Sequence, residues 1–184
     1  ADLFLMEDVV EAASFPVYAS GGIKSVADLR ALGDRGVSAA IIGMALYTGK
    51  LLLGDAIASP LVRPLPGHLW PTVVCDDAGR TLGLVWSTRE SLARAVAERR
   101  GIYWSRSRQS IWEKGATSGN TQQLLRVDLD CDRDALRFTV RQHGAGFCHL
   151  DRRSCWPAEF DLGDLERTLA DRIEHPVAES GTTR

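Results

Sequence analysis

Long apolar runs are missing from this chain. Nowhere do about 18 apolar residues follow one another without interruption, so no segment reads as a bilayer-spanning helix. An excess of one charge is missing too: 22 Lys and Arg against 24 Asp and Glu leave a formal net charge of -2. That balance supplies no global attraction to nucleic acid or to an anionic membrane, so any anion site must be local. Cysteine is sparse, four in 184 residues. The sequence opens on Ala1 without an apolar leader of the secretory kind, so reduced thiols and a cytoplasmic location are the expectation. What is there, 45% hydrophobic and 25% charged residues, is ordinary globular composition with room for one full domain plus pieces.

Proline is concentrated where the chain changes character, in residues 59–67 and again at Pro157, and such stretches read as linkers. Ahead of the first, Val17, Tyr18, Ala19 and Ser20 form a short strand and Gly21-Gly22 a tight turn. Ser25 caps a helix over Val26, Leu29 and Leu32, with Asp28 closing a capping box and Gly36 ending it; Ala39 to Ile42 is a second buried strand. Strand, helix, strand at this spacing is a right-handed parallel unit whose terminal glycines let backbone amides approach a phosphate. Between the prolines, Val73-Val74-Cys75 and residues 81–86 flank Asp76-Asp77-Ala78-Gly79 as a hairpin. A helix capped by Thr88, with Leu92, Ala95 and Val96 on its apolar side, runs to Gly101.

Two clusters carry chemistry. Leu124, Leu125, Val127 and Leu129, then Leu136, Phe138 and Val140, alternate as two strands around Asp130-Cys131-Asp132-Arg133-Asp134. Continued strand geometry puts Asp130, Asp132 and Asp134 on one face and Cys131 on the other. Cys131 then reaches Cys148 and Cys155 only across that opposite face, on a folded-back loop or on a second copy of the chain. Carboxylates select magnesium-like ions and thiolates zinc-like ions, so two metal sites are the metal reading. Buried apolar cysteines and a solvated acidic turn are the plain one. The second cluster is Trp104-Ser105-Arg106-Ser107-Arg108 with Trp112-Glu113-Lys114-Gly115 and Ser118-Gly119-Asn120, where fork-shaped cations and approachable amides suit phosphate and the tryptophans suit a base. A single-stranded nucleic-acid surface uses the same residue types.

Taken together, these two clusters and the Cys148-His149 to Ser154-Cys155 stretch resemble phosphoribosyl-AMP cyclohydrolase over residues 68–157. Leu150-Asp151 and Val85-Trp86-Ser87-Thr88 depart from that family's usual pattern without touching a proposed ligand. The resemblance implies an α+β fold with a mainly antiparallel sheet, an intertwined homodimer, and hydrolytic opening of the purine ring of phosphoribosyl-AMP. It also implies Zn2+, one per subunit and shared across the dimer, on Cys131, Cys148 and Cys155, with Mg2+ on Asp130, Asp132 and Asp134. Trp104, Arg106, Ser107, Arg108, Trp112, Lys114, Ser118 and Asn120 would contact the substrate, and His149 would carry the proton. No nucleic-acid or membrane partner is implied. Residues 1–58 resemble the last two strands of the ProFAR isomerase TIM barrel, too little to close a barrel, so no isomerase activity is expected there. Residues 158–184 read as a short tail helix resembling the start of phosphoribosyl-ATP pyrophosphohydrolase. A noncatalytic zinc-stapled nucleotide-binding dimer is the alternative, marked by a fourth protein ligand such as His149 or Cys75 closing the zinc.

Overall fold

The computed structural model describes residues 2–62, 67–156 and 162–174. Local rules decide the first elements. Helix α1 (Leu3–Ala12) starts where the Asp2 carboxylate accepts from the Leu5 N–H. Strand β1 (Tyr18–Ser20) pairs in parallel with β2 (Ala39–Ile41) around helix α2 (Val26–Asp34). The predicted capping box is present: Ser25 Oγ accepts from the Asp28 N–H at 3.2 Å, and Asp28 Oδ2 accepts from the Ser25 N–H at 2.9 Å. Ala19, Ile23 and Leu32 make a small core between these elements. Two short helices follow, α3 (Met44–Tyr47) and α4 (Leu53–Ala58).

A six-stranded sheet forms the rest, in the order β6-β5-β4-β3-β8-β7. Its strands are β3 (Trp70–Asp76), β4 (Thr81–Ser87), β5 (Ile102–Ser105), β6 (Ser110–Glu113), β7 (Gln122–Leu129) and β8 (Leu136–Gln142), with helix α5 (Arg89–Glu98) joining β4 to β5. All neighbours run antiparallel except β3 and β8, which pair in parallel with Val74 opposite Phe138. The fold class is therefore α+β with a mainly antiparallel sheet, as expected. The polar stretch after Gly101 is more ordered than a loop, because Tyr103 faces Trp112 and Trp104 faces Ile111 across a hairpin.

The helix expected to run to Gly101 ends earlier. Arg99 takes the left-handed conformation at φ 54° and stops α5. Gly101 is required for a different reason: a Cβ there would strike the Gln122 side chain, which accepts from the buried Tyr103 hydroxyl at 2.6 Å. The packing also crosses the stretch read as a boundary. Ala58 and Leu61 are buried in the same core as Trp70, Leu92 and Phe138, and Gly54 lies so close to Ala93 that a side chain would not fit. Small residues on α4 thus let it dock on α5, and the core of the large sheet begins ahead of residue 59. Of the expected linker, residues 63–66 lie outside the described residues. In the tail, α6 (Leu162–Glu174) is helical as predicted, whereas Phe160 and Asp161 lie outside the described residues.

Candidate active site

Cys148 and Cys155 share one loop, residues 147–155, which folds back on itself. The Phe147 N–H donates to the Arg153 carbonyl at 3.1 Å and the Cys148 N–H to the Arg152 carbonyl at 3.0 Å. The loop lies on β4: the Cys155 N–H donates to the Leu82 carbonyl at 2.8 Å and Ser154 Oγ to the Thr81 carbonyl at 2.9 Å. Gly83 permits this, since a Cβ there would run into the Phe147 ring and lie 3.3 Å from Cys155 Sγ. The two thiols are neighbours. Partial burial pushes the Cys155 thiol up, the charge of Cys148 adds to this, and the Lys114 ammonium opposes it. The Leu150 N–H points at Cys148 Sγ from 3.5 Å. His149 between them is exposed.

A buried carboxylate that sequence reasoning passed over clamps this loop. Asp76, 1% exposed, accepts from Arg153 at 2.7 Å and from the N–H groups of Arg80 at 2.9 Å and Ala78 at 3.0 Å. Burial raises its pKa, but these donors outweigh burial and hold it below the ordinary carboxylate range. A carboxyl depressed in the folded state contributes stability that is complete above its unfolded pKa of about 3.9 and lost as pH falls through the folded value. Asp76→Asn is therefore expected to cost about 2 kcal/mol in urea unfolding at neutral pH. Its deficit against the parent chain should stay level from pH 8 to 6 and shrink below about pH 4. A midpoint unchanged at neutral pH would show that the clamp carries no stability.

Asp130, Asp132 and Asp134 do come together, with one carboxylate oxygen from each lying within 4.8 Å of the others. They do so for a reason other than strand alternation. β7 ends at Leu129 and the chain turns sharply, with Arg133 left-handed at φ 63°. Asp130 Oδ1 holds the turn by accepting from the N–H groups of Asp134 and Ala135, each at 3.0 Å. These bonds keep the Asp130 carboxyl below its ordinary pKa. Cys131 is exposed on the same turn. Among the described residues the aspartates are the only three metal-ligating groups gathered this closely, so Cys131 does not close on Cys148 and Cys155 within one chain, and neither His149 nor Cys75 completes a set of three with them. Cys75 is buried on β3.

The cations divide between two places. At the tip of the β5–β6 hairpin the Arg106 guanidinium lies 4.5 Å over the Trp86 ring and that of Arg108 5.7 Å from Trp112. Trp104 is half-buried beside Trp86, and Ser107 is exposed at the tip. Lys114 stands at the other end of β6, buried beside the thiols. Ser118 is exposed, whereas Asn120 is buried and its Oδ1 accepts from the Ala145 N–H at 2.8 Å, pinning the approach to the thiol loop.

A family model for phosphoribosyl-AMP cyclohydrolase matches residues 83–157, the span that holds Cys131, Cys148 and Cys155, the clustered Asp130, Asp132 and Asp134, and the hairpin tip. The phosphoribosyl-AMP cyclohydrolase of Thioalkalivibrio sulfidiphilus is 43% identical over 102 residues, covering 55% of this chain and 78% of its own. The chain belongs to the phosphoribosyl-AMP cyclohydrolase family. The histidine biosynthesis bifunctional protein HisIE of a Synechocystis species is 39% identical over 145 residues, 73% of this chain and 67% of that one. A histidine biosynthesis trifunctional protein of Saccharomyces bayanus is 44% identical over 146 residues, 78% of this chain but 18% of its own length. The chain thus spans less than a fifth of such trifunctional relatives. Because 78% of the chain exceeds what residues 68–184 contain, the likeness to this trifunctional protein extends ahead of the Pro-rich stretch. A second family model, for a histidine biosynthesis protein, matches residues 1–52. No helix among the described residues is long and apolar enough to cross a membrane.

Proposed function

We propose that this chain hydrolyses 1-(5-phosphoribosyl)-AMP at the N1–C6 bond of its purine ring to give ProFAR, the third step of histidine biosynthesis, in the cytoplasm. The family match over 83–157 carries the reading, because every proposed ligand lies inside it. The reaction adds the oxygen of water to C6 and returns a proton to N1 as the ring opens. Alkylation at N1 leaves C6 electron-poor and open to attack.

The donor sets fit the two implied metals. Three clustered carboxylates are hard donors suited to magnesium. Two adjacent thiols, one receiving a backbone N–H and both facing a cation, suit zinc, with Cys131 of the partner subunit as third ligand. Zinc held by three protein ligands supplies Lewis acidity that brings the pKa of water to about 7. The homodimer is then part of the site. Arg106 and Arg108, laid on tryptophans, hold phosphate oxygens with their guanidinium planes already oriented. Trp104, Trp112, Ser107, Ser118, Lys114 and Asn120 line the surrounding surface or position it. His149, exposed on the thiol loop, moves the proton toward N1.

The first part of the chain is a barrel remnant without isomerase chemistry, the cyclohydrolase unit takes its core from Ala58 and Leu61 onward, and α6 (Leu162–Glu174) is a tail helix. Ring opening of phosphoribosyl-AMP, followed by absorbance with the purified chain and magnesium, tests the assignment. Turnover above the uncatalysed rate supports it. None, from a folded dimer with bound zinc, turns the reading to a nucleotide-binding dimer.

A further inference from the structure

Lys114 belongs to a motif that suggests phosphate, yet the fold takes its side chain elsewhere. It stands at the opposite end of β6 from the arginine tip, tied in by its own N–H, which donates to the Gly101 carbonyl at 2.8 Å. The residue is only 8% exposed. Its Nζ lies 5.7 Å over the Phe147 ring, on the loop that presents the thiols. No carboxylate among the described residues pairs with it. Its side chain lies by the thiols of Cys155 and Cys148: burial draws the Lys114 pKa below its ordinary value, and negative charge on those two sulfurs, when they carry it, opposes the shift. A cation partly drawn out of water with no carboxylate beside it is stabilised when negative charge gathers next to it.

We propose that Lys114 is a positioning residue for the thiolate metal site, its ammonium balancing the negative charge that the site gathers and holding residues 147–155 in the ligating arrangement. The charge count supports this. Three thiolates bring three negative charges against the two positive charges of a divalent ion, and one ammonium restores neutrality. The thiol pair would otherwise carry uncompensated charge against Phe147 and Gly83, both buried on the inner side of the loop. The inference rests on the zinc assignment proposed above and adds to it a residue that acts on the metal through its ligands.

The test compares zinc affinity, by competition with a chromophoric chelator, for the full chain and for Lys114→Met, Lys114→Gln and Lys114→Arg, with magnesium binding followed in parallel. Both neutral variants should bind zinc at least about tenfold more weakly while magnesium binding is unchanged, and Arg should restore most of the loss. A packing role predicts the reverse order: Met, close in length and apolar, would be tolerated and the bulkier Arg would not. Neutral variants that bind zinc as tightly as the parent chain would overturn the proposal for Lys114 and leave the zinc assignment standing. A parent chain that binds no zinc would overturn both.

Discussion

Mixing two inactive chains should restore activity. Cys131→Ser and Cys148→Ser, each purified and assayed alone, are expected to show no ring opening above background. After co-refolding in equal amounts, half the dimers are mixed. Each mixed dimer holds one site with both substitutions and one with neither, so the sample should recover about a quarter of the parent turnover. The expectation follows from position: Cys148 and Cys155 are anchored on β4, while Cys131 sits on the β7–β8 turn and does not join them within one chain. A site built within one subunit gives no recovery, because every chain in the mixture lacks a ligand. Absence of rescue from a mixture shown to contain mixed dimers would refute the shared site.

Removing one metal should leave the other in place. Cys148→Ser is expected to abolish zinc binding and lower turnover by at least about 10³-fold, the scale on which loss of activated water acts, while magnesium titration stays as in the parent. Asp132→Asn should do the opposite, keeping stoichiometric zinc while its turnover falls about 10²-fold and partly recovers as magnesium is raised. Asp132 is the suitable choice, because Asp130 also holds the turn through the N–H groups of Asp134 and Ala135 and its loss would confound folding with binding. Zinc lost from Asp132→Asn, or magnesium response lost from Cys148→Ser, would mean one mixed site in place of two.

Features governed by neighbours in sequence were legible before the structure. The Ser25 and Asp28 capping box, the Thr88 cap, the β3–β4 hairpin and the pairing of β7 with β8 depend on residues a few positions apart, and the structure has each of them, with a bulge in β7 between Leu124 and Arg126. The aspartate cluster was legible as a set, but its cause was not. Alternation along a strand predicted a shared face, whereas a turn held by Asp130 gathers the carboxylates. Features set by long-range packing were illegible. Nothing near Asp76 signals that it meets Arg153, 77 residues away, and nothing in the Trp112-Glu113-Lys114 motif says that β6 carries its arginine tip and its lysine to different places. Gly54 and Ala58 explain why the Pro-rich stretch made a poor boundary: small residues bring α4 against α5, a contact that composition cannot reveal. The metal-ligand set was legible through its family pattern more than its spacing, since two of the proposed zinc ligands face each other and the third does not.

The most direct measurement is the turnover of phosphoribosyl-AMP by the purified chain in magnesium, before and after zinc is stripped by a strong chelator and then restored. Ring opening is expected to vanish with the zinc, to stay lost with magnesium alone, and to return when one equivalent of zinc per subunit is added back. Undiminished turnover in the stripped, zinc-free chain would contradict this.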